Sequence, residues 1–364
     1  MTEQGGVFAV ILAGGSGTRF WPASRSLRPK QLLALGPSGD SLIRETVRRV
    51  ASLSPPDRVL IATGKRLLQG TREALPELPP SAFLGEPQAK NTAPCIGWAS
   101  AVAFRRDPEA VVMVLPSDQH IGDEAAFLAA VRHAVASARA GVITTIGVKP
   151  TRAETGYGYI EVGDAVTEAV SRVVRFVEKP DAETAEEYVA SGRYAWNSGM
   201  FFFRAKDMLD AVRAHAPEIA KGLDDIDAAA KKGPEAEADA TERAFAAFPS
   251  ISIDYAVMER AETLHVVSAS FGWSDLGSWQ SAWELSPKDA SQNAAPEGSI
   301  LVDARGNIVR TLAGAAGKLV ALVGVEGLAV VDTGDALLVM PRERSQDVRA
   351  VVDALKASGR EPLL

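Results

Sequence analysis

An apolar run that ends in a glycine-rich turn, followed closely by two cations, constrains this chain more than any other feature. Val7–Leu12 leads into Ala13-Gly14-Gly15-Ser16-Gly17-Thr18-Arg19-Phe20-Trp21-Pro22, and then into Arg28-Pro29-Lys30-Gln31. A strand feeding such a turn leaves backbone N–H groups uncovered, because glycine has no side chain to hold a phosphate away. Arg19 and Lys30 would neutralise the charge that those groups cradle. Two common loops are excluded. A Walker A loop needs Lys-Ser or Lys-Thr after its glycines, and none follows here. A dinucleotide fingerprint needs a third glycine where this chain has Phe20. A tight strand-to-helix turn without a ligand is the alternative, and Arg19, Pro29 and Lys30 weigh against it.

Short apolar runs alternate with helical patterns through the first two-thirds of the chain. Strands are expected at Val7–Leu12, Arg58–Ala62, Val111–Leu115, Val142–Gly147 and Gly199–Phe203, with helices near Ser41–Leu53, Ala93–Arg106 and Ala125–Ala140. This alternation implies an α/β fold, with a mixed, mostly parallel Rossmann-like sheet and helices on both faces. Ligands then belong at the carboxyl ends of the strands, where the glycine loop and Pro116-Ser117-Asp118 fall. Residues 218–247, rich in Ala, Lys, Asp and Glu, read as exposed helical surface. The polar loop Ser286–Gly298 marks a boundary. Short β-like runs punctuated by Gly306, Gly317, Gly324, Gly327 and Gly334 follow it, then a helix near Ser345–Ser358. The expected division is a catalytic domain at 1–285 and a small all-β module with a closing helix at 286–364.

The 364 residues, 46% hydrophobic and 23% charged, fit a globular enzyme of this size. A net charge of −7 argues against nucleic-acid binding, so an anionic substrate needs a local basic pocket. The single Cys95 allows no internal disulfide and fits a reducing cytoplasm. No apolar run reaches the ~18 residues of a membrane span. The start of the chain lacks a signal-peptide pattern.

Further residues suggest chemistry, each beside a plainer role. Asp118 follows an apolar strand, where carboxylates hold hard cations such as Mg2+, but it could also cap a helix. Asp275, in Phe271-Gly272-Trp273-Ser274-Asp275-Leu276-Gly277-Ser278-Trp279, is a second metal candidate or part of an aromatic packing corner. Asn91 and Thr92, in Glu86-Pro87-Gln88-Ala89-Lys90-Asn91-Thr92-Ala93-Pro94, could be helix caps. Gly156-Tyr157-Gly158-Tyr159-Ile160-Glu161 would let backbone approach a sugar. Glu178-Lys179 sets an acceptor beside a cation, or is a solvated pair. Asn197, in Trp196-Asn197-Ser198-Gly199, offers another hydroxyl partner.

Together these elements resemble the sugar-nucleotide pyrophosphorylases, in their mannose-1-phosphate guanylyltransferase branch, over about residues 8–340. The resemblance implies a nucleotide-diphospho-sugar transferase fold with a short left-handed β-helix at the C-terminus. It implies transfer of GMP from GTP to α-D-mannose 1-phosphate, giving GDP-mannose and pyrophosphate. Arg19, Lys30 and Asp118 would be catalytic. Leu12, Ala13, Gly14, Gly15, Gly17, Thr18, Glu86, Lys90, Asn91, Thr92 and Ser117 would bind the nucleotide. Gly158, Tyr159, Glu178, Lys179 and Asn197 would bind the sugar phosphate, and Asp118 and Asp275 would hold Mg2+. The chain departs from the family pattern at Lys90, where Arg is commoner, and at Gln119, where His is common; His120 follows one place later. Ser252-Ile253-Asp254-Tyr255 also matches the mannose branch, with no physical role evident for Asp254. A cytoplasmic enzyme with a homodimer as the assembly considered, and without an added isomerase activity, is the expectation. The alternatives are another nucleotide and hexose 1-phosphate pair, or a non-catalytic regulatory subunit.

Overall fold

The computed structural model describes residues 5–15, 17–36, 38–312, 314–315 and 317–364. Ser16 of the glycine loop and the first four residues lie outside them. The chain forms two compact units that interleave along the sequence. One comprises the segment up to Gly14, Thr46–Ser117 and Ile121–Trp273; the other comprises Gly15–Glu45, Asp118–His120 and Ser274–Leu364.

The first unit is built on one nine-stranded sheet. Its strands are β1 (Val7–Leu12), β2 (Val59–Gly64), β3 (Phe83–Glu86), β4 (Val111–Pro116), β5 (Thr144–Val148), β6 (Gly158–Ala165), β7 (Val170–Glu178), β8 (Tyr194–Arg204) and β9 (His265–Ala269). Their order is β3-β2-β1-β4-β8-β5-β9-β7-β6, and β6 also pairs with β8. The sheet is mixed. β1 runs parallel to β2 and β4, β2 to β3, and β5 to β9. β8 is antiparallel to β4 and β5, and β6 to β7. β1 and β4 read as unbroken apolar runs because helices cover both faces of a parallel sheet. Val10, Ile11, Val112, Met113 and Val114 are all 0% exposed. In register, Leu12 faces Ala62 on one side and Pro116 on the other. The carboxyl ends of β1, β2 and β4 are therefore level, and both sequence-marked loops leave from that line.

Helix 92–106 starts at Asn91, whose side chain accepts from Thr92 N, and helix 124–139 starts at Asp123, which accepts from Ala126 N. Residues 217–247 form two helices, as expected, but they are more than surface. Ile219, Leu223, Ile226 and Phe245 are buried in the core shared with Phe8, Leu60 and Val102. Spaced at i, i+4 and i+7, the three aliphatic residues of the first helix are enough to seat one face of an otherwise polar segment.

The second unit holds the β module: β10 (Ile300–Val302), β11 (Ile308–Thr311), β12 (Ala321–Val323), β13 (Leu328–Asp332) and β14 (Leu337–Pro341). β10 pairs parallel with β12 and β11 parallel with β13, as successive coils of a β-helix do; β14 closes antiparallel on β13. Buried Asn307 links these coils. Its amide donates to Asn293 Oδ1 (2.9 Å), and its Oδ1 accepts from Leu328 N (2.8 Å). Phe20 and Trp21 belong to this unit's core, with Leu276, Trp279, Ile308, Val331, Val348 and Val352. Phe20 meets Trp279 edge-on at 5.0 Å, and Trp21 Nε1 donates to Leu363 O at 2.8 Å. The aromatic residues after Arg19 thus anchor the glycine loop and leave its cation outside the core.

Candidate active site

Four charged residues marked in the sequence gather within the second unit. Gly17 is left-handed (φ 58°), and a Cβ there would lie 2.5 Å from Lys30 Cβ and 2.7 Å from Lys30 N. Only glycine lets the loop close on Lys30. A Cβ on Gly15 would meet nothing within 4 Å, so this part of the loop leaves room for a ligand to approach the backbone. Lys30 is buried, and its ammonium donates to Asp118 Oδ2 at 3.0 Å and to the backbone oxygen of Asp275 at 2.6 Å. A Cβ on Gly277 would lie 2.5 Å from Asp275 Oδ2 and 3.4 Å from an Arg19 guanidinium nitrogen. Arg19 also reaches Gln346 Oε1 at 3.5 Å. Thr18 opens the single 3-10 turn that carries Arg19. Leu276, directly after Asp275, has φ 46°. A non-glycine residue held there costs on the order of 1 kcal/mol, and such strain gathers at functional sites.

The same left-handed strain occurs at Asn91 (φ 65°) and Lys179 (φ 51°), both in candidate loops of the first unit. In that unit Leu12, Ala13 and Ser117 are fixed through backbone: Ser117 N donates to Leu12 O, Ala13 N to Ala62 O, and Ala13 O accepts from Thr63 Oγ1. A Cβ on Gly14 would come 4.0 Å from Glu86 Oε1. Glu86 ends β3 and is 8% exposed. Burial pushes its carboxyl up to about 7, against a lowering hydrogen bond from Cys95. The buried Cys95 thiol is itself pushed well up by burial and then by the Glu86 charge, which leaves it inert. Lys90 Nζ donates to Ala246 O at 3.2 Å. Asn91 caps its helix, and Thr92 Oγ1 accepts from Ile253 N at 2.8 Å.

A third group surrounds Gly158, where a Cβ would overlap Glu178 Oε2 and lie 3.3 Å from Asn197 Cβ. Glycine here is what lets the carboxylate and the amide share one spot. Glu178 pairs with Lys179. Burial works against the Lys179 ammonium, but the hydrogen bond and charge of Glu178, with the added charge of Asp254, hold its pKa above the ordinary value. Asn197 Oδ1 accepts from Gly199 N (3.0 Å), and Asn197 Nδ2 donates to Asp254 Oδ1 (3.2 Å). Asp254 is the residue whose role the sequence left open. Burial, then the Glu178 charge, pushes its carboxyl up to about 6. Tyr159 contributes no side chain to this group. Its ring is 0% exposed, its hydroxyl accepts from Glu154 N, and its backbone is flanked in the sheet by Val177 and Trp196. Tyr157 stands edge-on to Trp196 (5.1 Å) and Trp273 (5.4 Å), an aromatic corner that sequence reading did not assemble.

Among the described residues no three or more His, Cys, Asp or Glu cluster as a metal site. Asp118 and Asp275 supply carboxylate oxygens, the donor type a hard divalent cation prefers, and Asp118 is 40% exposed in its side chain. No helix among the described residues is long and apolar enough to cross a membrane.

A strand-end glycine loop with clustered cations and carboxylates is the layout of a nucleotidyl-transferring enzyme. Residues 8–292 match the nucleotidyl transferase model, and residues 297–355 match the mannose-phosphate isomerase/GMP-like β-helix domain; the chain belongs to the nucleotidyl transferase family. Within it, the relatives place the chain with the mannose-1-phosphate guanylyltransferases. It is 41% identical to the Escherichia coli K12 enzyme of that name over 371 residues, 98% of this chain and 75% of that protein. It is 44% identical to xanthan biosynthesis protein XanB of Xanthomonas campestris pv. campestris over 359 residues, 97% of this chain and 74% of that protein. A crystal structure described as a mannose-1-phosphate geranyltransferase from Thermus thermophilus superposes with a TM-score of 0.86 at 35% identity, covering 96% of this chain and 99% of that one.

Proposed function

We propose that the chain transfers GMP from GTP to α-D-mannose 1-phosphate, releasing pyrophosphate. The gathering of Arg19, Asp118 and Asp275 around buried Lys30 is the observation that supports this most. A sugar phosphate carries about −1.5 to −2 charges at neutral pH, so its attacking oxygen needs no general base. It attacks the α-phosphorus of GTP, and the α–β bridging bond breaks as pyrophosphate leaves. The obstacle is bringing two anions together, which makes catalysis a matter of positioning and charge neutralisation. In this reading Arg19 and Lys30 hold the triphosphate and stabilise the leaving pyrophosphate. Asp118 and Asp275 would hold a divalent cation, proposed as Mg2+, which when bound neutralises phosphate charge and aids in-line displacement.

Glu86 is assigned to the base. A carboxylate accepts from the N1–H and N2–H of guanine, whereas adenine presents an acceptor at N1. Leu12–Gly15, Gly17, Thr18, Lys90, Asn91, Thr92 and Ser117 complete the proposed nucleotide contacts. Lys179 is assigned to the sugar phosphate, and Glu178 and Asn197 to sugar hydroxyls, with Gly158 and Tyr159 beside them. The proposal includes residues 1–285 as the transferring part and 286–364 as an accessory module. It also includes a cytoplasmic setting and a homodimer, checked by fractionation and by sedimentation.

Pyrophosphate release measured over a panel of nucleoside triphosphates and hexose 1-phosphates tests the reading. GTP with mannose 1-phosphate should give the highest kcat/KM; a different best pair would replace it. Asp118→Asn should lower kcat by about 100-fold, the size expected for losing a charge that organises phosphate, with the fold retained at the assay temperature. Near-normal kcat would remove Asp118 from the scheme. Lys179→Ala should raise the KM for mannose 1-phosphate by about tenfold while sparing that for GTP, as loss of a charge-assisted hydrogen bond does. A rise confined to GTP would reverse the assignment.

A further inference from the structure

We propose that Asp254 is a positioning residue for the sugar phosphate: it orients the Asn197 amide, and Thr92 holds Asp254 in place from the nucleotide-side loop. The inference rests on the guanylyl-transfer reading and goes beyond it by joining two parts of the first unit.

Asp254 opens a five-residue π-turn, Asp254–Met258, a rare local geometry that is frequent at functional sites. Its carboxylate accepts from Asn197 Nδ2, and Gly199 N donates to Asn197 Oδ1. An amide has two N–H groups and two acceptor lone pairs. With Oδ1 and one N–H engaged, the amide cannot flip, and its second N–H is offered in a fixed direction. Asp254 also adds negative charge beside Lys179, whose backbone sits in a left-handed conformation. The groups that bear on Asp254 are Glu178 and Lys179 at the end of β7, Ser252 on its own segment, and Asn197 on β8; Tyr255 bears on Lys179.

The π-turn is tied at its start to the loop between β3 and helix 92–106. Ile253 N donates to Thr92 Oγ1 at 2.8 Å, and Ala93 N donates to Ile251 O at 3.1 Å. One hydroxyl of the segment proposed to meet the nucleotide thus fixes the backbone immediately before Asp254. Thr92, assigned to the nucleotide on resemblance, has this internal task as well.

The test is the separate KM for each substrate. Asp254→Ala should raise the KM for mannose 1-phosphate at least tenfold and change that for GTP less than twofold. Asp254→Asn keeps an acceptor for Asn197 and should recover a substantial part of the loss. Thr92→Val should raise the same KM by about fivefold through the lost tether, and Thr92→Ser, which keeps the hydroxyl, should restore it. An unchanged sugar-phosphate KM in Asp254→Ala, equal rises in both KM values, or Thr92→Ser behaving like Thr92→Val would overturn the inference. If Asp254→Ala does not fold, the Thr92 pair and Asp254→Asn read the same link. Wild-type turnover of mannose 1-phosphate in the same assay tests the guanylyl-transfer reading independently. If wild type prefers another hexose 1-phosphate, that reading fails while the KM split is read on the preferred sugar.

Discussion

Lys30→Ala is expected to lower kcat by 100- to 1,000-fold, about 3–4 kcal/mol of transition-state stabilisation, the range seen when one preorganised donor to developing charge is removed. The size follows from how the ammonium is held. It is buried, aimed by two hydrogen bonds to Asp118 and the Asp275 carbonyl, and backed by the closed Gly17 turn. Such a donor needs little reorganisation as charge develops on the leaving pyrophosphate. Lys30→Arg should not rescue, because a planar guanidinium does not fit a slot shaped for a point charge. Single-turnover kinetics beside a thermal melt separates this from unfolding. A folded Lys30→Ala protein with kcat within threefold of wild type would contradict the assignment.

Glu86→Gln is expected to raise stability at alkaline pH and to weaken GTP. The Glu86 pKa lies near 7 in the folded chain, against an ordinary value of 4.5. Between those values the folded state binds more protons than the unfolded state, so stability falls as pH rises through the window. The full difference is roughly 3 kcal/mol, at about 1.4 kcal/mol per pH step. It is absent below about pH 4.5 and complete above about pH 7. The glutamine variant lacks this penalty, so denaturant midpoints at pH 5 and pH 8 should show its advantage only at pH 8. Its KM for GTP should rise at least tenfold, because an amide N–H faces guanine donors where a carboxylate accepted them. An advantage equal at both pH values would remove the buried-carboxylate explanation. An unchanged KM for GTP would remove Glu86 from the base.

The glycine loop and the central strands were legible because short-range rules govern them. β1 is at Val7–Leu12, where the apolar run stands, since a strand buried on both faces must be continuously apolar. β8 was only half visible. Gly199–Phe203 reads as a strand, but the element begins at Tyr194, and Asn197, Ser198 and a left-handed Gly199 (φ 72°) break the pattern inside it. Asn197 is a proposed site residue, while the buried Ser198 hydroxyl donates to Ile146 O, so local hydrogen bonding interrupts the strand pattern there. Helices 217–230 and 234–247 looked like surface because few large residues suffice to bury a helix face. The separate charged groups were legible from the motif resemblance. The resemblance also implied that Asp118 and Asp275 come together, but not that the Lys30 ammonium bonds both or that Asn197 meets Asp254, because these contacts cross long stretches of chain. The interleaving of the compact units was equally hidden. Nothing local in Phe20-Trp21 announces burial beside Trp279 and Val348.

In the proposed reaction the α-phosphorus of GTP moves to the sugar phosphate. The direct measurement is label transfer from GTP carrying radioactive phosphorus at either the α or the γ position, with mannose 1-phosphate and Mg2+ present. The α-label should appear in a sugar nucleotide and the γ-label only in pyrophosphate. Transfer of γ-label to the sugar phosphate, or retention of α-label in GDP or GMP without a sugar nucleotide, would contradict it.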